Sequence, residues 1–111
     1  MTNTFIIGGT KGIGSSIYKS FKKRGDKVYV FSRTKINSKT SYTIDLSSNK
    51  DVEEFFLNFS KKKIKIDNLV FSQRYRGNNY DEENQVIIKS TKLILKIMLK
   101  KFNKNSSIVF I

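Results

Sequence analysis

The chain has 111 residues, 38% of them hydrophobic and 13% aromatic, enough for one packed core and too apolar for wholesale disorder. It contains no cysteine and no histidine, which excludes disulfides, thiolate nucleophiles, histidine bases and nearly all transition-metal sites, and it fits a reducing, cytoplasmic setting. The net charge of +13 comes from lysines spread over many segments and not from one aromatic-interleaved patch, so nucleic-acid binding is the disfavoured reading of that charge.

Taken in chain order, Thr4 to Ile7 is a short apolar run ending at Gly8, as expected of a strand buried on both faces. Ile13, Ile17 and Phe21 follow at four-residue spacing with lysines off the stripe, which predicts an amphipathic helix stopped by Gly25. "KVYVFS" at 27–32 is β-branched and aromatic, a second strand, and "SYTID" at 41–45 is a short third one. "LSSNKD" has helix-start chemistry, and Val52, Phe55, Phe56 and Phe59 mark the apolar face of the helix it opens. "IDNLVFS" at 66–72 reads as a fourth strand. Residues 81–102 read as one long helix opening with the acids "DEEN".

On that helix Lys89, Lys92, Lys96 and Lys100 form one narrow stripe. The rest is so apolar that it is expected to pack on the sheet and against something more, such as a second copy of the chain. "SSIVFI" at 106–111 reads as a fifth, buried strand. Strands alternating with helices predict an α/β, doubly wound, Rossmann-like parallel sheet of about five strands in three layers, with right-handed crossovers. No apolar run approaches the roughly 20 residues that span a bilayer, and "MTNTFIIGGTK" lacks the pattern of a secretory signal, so no membrane partner is expected.

The chemistry-bearing stretch is "GGTKGIG", where Gly8, Gly9, Thr10, Lys11, Gly12, Ile13 and Gly14 join the first strand to the first helix. Positions without a side chain let the backbone approach phosphate oxygens, and the first N–H groups of the helix then point at the anion, helped by its dipole. The spacing is G-x-x-x-G-x-G. It is neither the commonest dinucleotide fingerprint nor a phosphate loop ending in G-K-[ST].

"IIGGTKGIGSSI" resembles the nucleotide loop of the short-chain dehydrogenases/reductases, although Ile7 stands where that family usually has a threonine. The resemblance implies further cofactor contacts. In "VFSRTK", Ser32 occupies the place of the acid that NAD-preferring members use on the adenosine ribose, and Arg33 and Thr34 follow. A carboxylate there would repel a 2′-phosphate, whereas a guanidinium binds it bidentately. Lys11 is a second base where NADP-preferring members carry one, so NADP(H) is expected and NAD is the weaker candidate. Asp45 and Leu46 match the pair near the adenine. Ser72 and Gln73 fall in "FSQR", at 71–74, which departs from the family's Asn-Asn-Ala-Gly.

The family's catalytic asparagine falls on Ile87, which cannot hydrogen-bond. Its serine and Tyr-x-x-x-Lys normally follow the fifth strand, where this chain ends at Ile111. One Tyr-x-x-x-Lys spacing does occur, at Tyr18 and Lys22, and is read as part of a solvated helix face. Tyr75, Arg76 and Tyr80 lie in the loop after the fourth strand, near the expected substrate mouth. Residues 1–111 are therefore expected to be the N-terminal, NAD(P)-binding part of an oxidoreductase that acts on a carbonyl or alcohol, with the catalytic half and its small-molecule substrate contacts absent. The alternatives are a non-catalytic NADP-binding or sensing module and a basic nucleic-acid-binding protein.

Overall fold

The computed structural model describes residues 2–8 and 12–111. Five strands form one parallel sheet in the order β3-β2-β1-β4-β5: β1 (Asn3–Ile7), β2 (Lys27–Ser32), β3 (Ser41–Thr43), β4 (Ile66–Phe71) and β5 (Phe102–Phe110). The chain winds outward from β1 through β2 to β3, then returns to place β4 on the opposite side of β1. The winding therefore reverses between β1 and β4, where such sheets open a ligand crevice.

Helices cover both faces, and the strand sequences show why. Phe5, Ile7, Tyr29, Phe31, Leu69 and Phe71 alternate with Ile6, Val28, Val30 and Val70, and each set lies in a separate core. The valine-rich set packs under α1 (Gly12–Arg24) through Ile17, Tyr18 and Phe21. The aromatic set packs under α2 (Asn49–Phe59) through Val52, Phe56 and Phe59, and under α4 (Ser90–Met98) through Ile94 and Met98. Rings of Phe31, Phe55 and Phe56 meet at centroid distances of 5.2–5.8 Å, mostly edge-on or tilted, as their quadrupoles favour. The Ser48 hydroxyl caps α2 by accepting from the Asp51 N–H at 3.2 Å.

At the opposite, amino-terminal edge of the sheet a polar group is buried with its partners. The Thr4 hydroxyl donates to Asp26 Oδ2 at 2.6 Å and accepts from Asn68 Nδ2 at 3.1 Å. Arg24 holds both Asp26 oxygens, at 2.9 and 2.6 Å, and keeps that carboxyl below the usual carboxylate range.

Several expectations need correction. The segment at 81–102 is not one α-helix. It runs as α3 (Tyr80–Asn84), a π-helical stretch (Gln85–Lys89), α4, and a 3₁₀ turn (Leu99–Lys101), after which Phe102 already pairs with Ile66. Its apolar surface is mostly used within the chain, with Leu93, Leu95 and Ile97 packed against the aromatic core and only Ile88 and Leu99 large and exposed. β5 lies at the edge of the sheet, and Ile108, Val109 and Phe110 are 43%, 44% and 63% exposed. Tyr18 is half-buried against the valine core and does not lie on a solvated face, while Lys22 is exposed. β3 is shorter than expected and ends at Thr43. No helix among the described residues is long and apolar enough to cross a membrane.

Candidate functional site

A cleft of about 410 Å³ opens at the carboxyl ends of β1, β2, β3 and β4. Gly8, Gly12 and Ile13 form its floor; Ser32, Arg33 and Thr34 line one wall; Ile44, Leu46 and Ser47 continue that wall past β3. The other wall comes from Ser72, Gln73, Arg74 and Arg76 after β4, with Val86 behind them.

Long-range contacts hold these loops together. The Gly8 N–H donates to the Phe31 carbonyl at 2.7 Å, and the Ser72 N–H to the Ile7 carbonyl at 2.9 Å. The Ser72 hydroxyl bridges the carbonyls of Ile7 and Gly8, each at 3.1 Å. Gly8 has φ +82°, and a Cβ on it would lie 2.7 Å from Gln73 Cα, so only glycine lets the β1 and β4 exits touch. Gly12 has φ +57° and faces open space, with nothing within 4 Å of a would-be Cβ. A ligand can therefore reach the backbone at the start of α1, whose first turn carries no acid to oppose an anion. Gln73 is fixed from behind, its Nε2 donating to Thr91 Oγ1 at 2.7 Å.

Most residues expected to contact a cofactor thus lie in one cleft: Gly8, Gly12, Ile13, Ser32, Arg33, Thr34, Leu46, Ser72 and Gln73. Ile13 is 49% exposed at the cleft, so it serves this surface and not the buried stripe of α1. Ser32 is buried and its hydroxyl donates to the Thr34 carbonyl at 2.7 Å, shaping the turn that carries Arg33. Arg33 is exposed, and among the described residues it forms no salt bridge. Two expected contacts are not in the cleft wall. Gly14 is buried within α1. Asp45 turns its carboxylate to Ser47, accepting from the hydroxyl at 2.5 Å and the N–H at 3.0 Å. The Ser47 hydroxyl holds that carboxyl below the usual range, with the Ser47 N–H and the charge of Arg33 acting in the same sense. Thr10 and Lys11 lie outside the described residues.

Arg74, which departs from the family pattern, and Arg76, expected at the substrate mouth, both line this cleft. Ser47 and Ile44 were missed, and their neighbours Asp45 and Leu46 were the only signal. A second, mostly apolar pocket of about 290 Å³ adjoins the first through Gln73, and Ile87 lies in it beside Phe71, Ile88 and Phe110. Ile87 sits in the π-helical stretch, so that pocket has an apolar wall at the position where the family resemblance places an asparagine.

No family model matches the sequence, and no curated protein matches it. Solved structures do match its fold. A short-chain dehydrogenase family protein from Francisella tularensis superposes with a TM-score of 0.84 at 18% identity, over 99% of this chain and 50% of its own. A 3-alpha-hydroxysteroid dehydrogenase from a Pseudomonas species, complexed with NADH, gives 0.76 at 18% identity, over 97% of this chain and 46% of its own. An oxidoreductase of the short chain dehydrogenase/reductase family from Brucella ovis, in complex with a partially ordered NAD, gives 0.73 at 18% identity, over 90% and 57%. The chain has the fold of short-chain dehydrogenase/reductase structures and spans about half their length.

Proposed function

We propose that the chain is the NADP(H)-binding portion of a short-chain dehydrogenase/reductase oxidoreductase acting on a carbonyl or alcohol. The observation that carries this reading is the cleft at the winding reversal, where Gly8, Gly12 and the start of α1 share the lining with Arg33 and, among the described residues, no carboxylate lines it. Gly12 and the first N–H groups of α1 would hold the pyrophosphate, Arg33 with Lys11 the 2′-phosphate, and Leu46 the adenine. When bound, the nicotinamide supplies or accepts a hydride. This chain's own residues bind and orient the dinucleotide.

Two of the structural neighbours carry NAD or NADH, which makes cofactor preference the point to test. Calorimetric titration with NADPH and NADH should give tighter NADPH binding in the wild type. Arg33→Asp should weaken NADPH by about tenfold or more, the scale of a lost charge-assisted pair, and leave NADH little changed. Unchanged NADPH affinity in Arg33→Asp would remove the NADP assignment. A non-catalytic sensing module is the second reading, favoured by Ile87 in its apolar pocket.

A further inference from the structure

Arg33 is not the only guanidinium in the cleft. Arg74 and Arg76 line the wall that leaves β4; both are exposed, and among the described residues neither forms a salt bridge. Backbone contacts fix their place relative to the glycine turn. On one side Gly8 bonds to Phe31, two residues before Arg33. On the other, Gly8 packs against Gln73, one residue before Arg74, and the Ser72 hydroxyl ties both exits together. Gly8 is therefore flanked by the strand exit that carries Arg33 on one side and by the one that carries Arg74 and Arg76 on the other.

An NADP molecule carries two separate anionic groups, the 2′-phosphate and the diphosphate bridge. With Arg33 assigned to the first, the second lies at the glycine turn and faces the opposite wall. Backbone N–H groups and a helix end offer only partial charge to a diphosphate, whereas a planar guanidinium offers a full charge and paired donors. We propose that Arg74 and Arg76 form a second anion clamp, which binds the diphosphate bridge of the dinucleotide. The clamp rests on the NADP(H) reading above and adds to it a division of labour between the two walls. Arg33 discriminates between NADP and NAD, and the Arg74/Arg76 pair holds both alike.

The test is calorimetric titration of the full chain with NADPH, NADH and adenosine 2′-monophosphate, which has the 2′-phosphate but no diphosphate. In Arg74→Gln/Arg76→Gln, Kd for NADPH and for NADH should each rise by about tenfold or more. Adenosine 2′-monophosphate should bind as in wild type, which also shows that the variant is folded. Arg33→Asp should do the reverse, losing adenosine 2′-monophosphate and NADPH while retaining NADH. Equal weakening of adenosine 2′-monophosphate and NADPH in the double variant would make the pair part of the 2′-phosphate site and overturn the clamp. Unchanged NADPH and NADH affinities in that variant would also overturn it while leaving the NADP(H) reading intact. A wild-type chain that binds none of the three ligands would overturn both.

Discussion

Substituting Gly8 by alanine separates two effects that usually act together. Gly8 has φ +82°, a conformation that costs an L-residue about 1–2 kcal/mol. Its Cβ would also lie 2.7 Å from Gln73 Cα and 2.9 Å from Gln73 N, closer than such atoms approach, and the obstacle is backbone, which cannot rotate away. Overpacking of that kind adds about 1–3 kcal/mol, so Gly8→Ala should destabilise the fold by about 2–5 kcal/mol. Gly25 is the natural comparison. Its φ is +101°, but a Cβ there meets nothing within 4 Å, so Gly25→Ala carries only the conformational cost. Urea unfolding followed by far-UV circular dichroism reads the difference. With a slope of about 1–3 kcal/mol per molar urea, the Gly8→Ala midpoint should fall by about 0.7 M or more below wild type, and clearly below that of Gly25→Ala. Equal midpoints for the two variants would refute the argument that the β1 and β4 exits are in enforced contact.

Two further outcomes follow from the packing and the buried carboxylate. Phe56→Ala, at a fully buried ring between Phe31 and Phe55, should cost about 3–5 kcal/mol, whereas Leu57→Ala, at a position 47% exposed, should stay within about 0.5 kcal/mol in the same unfolding assay. Asp26 has its carboxyl lowered, first by the hydrogen bond from Arg24, so its contribution is present above the unfolded value near 3.8 and is lost as pH falls through the lower folded value. Melting temperature against pH should therefore fall less steeply below about pH 4 in Asp26→Asn than in wild type. Parallel curves would show that the Arg24–Asp26–Thr4 group contributes nothing to acid lability.

The alternation of strand and helix was legible because both faces of this sheet are covered. Runs such as "FII" and "VYVF" have to be apolar throughout, and the helices between them show a 3.6-residue period. The glycine turn was legible for a related reason, since only that residue type tolerates the backbone there. The π-helical stretch was not, because one extra residue per turn shifts the apolar pattern without breaking it. Val86, Ser90, Ile94 and Met98 still fall on one buried face, and the Ser90 hydroxyl returns to the Val86 carbonyl at 2.5 Å. The start of β5 was hidden because Phe102 was placed at the end of the long helix and the polar Asn103, Lys104 and Asn105 that follow it fit no strand pattern. The structure instead carries a bulge there, with Asn105 at φ +66°, between the pairings Ile66↔Phe102 and Asn68↔Ser107. Arg74 and Arg76 could not be placed in the cleft from sequence. The Gly8–Gln73 approach that positions them joins residues far apart in the chain, and no local pattern reports it.

The open face of β5 sets how this chain behaves in salt. Among the described residues β5 pairs only with β4, and its apolar end, Ile108 to Phe110, is exposed, a template on which another chain can add. What opposes that addition is mutual repulsion between molecules that each carry a net charge of +13. Repulsion of this range weakens as the screening length shrinks, from about 30 Å at 0.01 M ionic strength to about 8 Å at 0.15 M, whereas strand pairing at contact distance is hardly screened at all. For residues 1–111, association through the β5 edge is therefore expected to increase as salt is added.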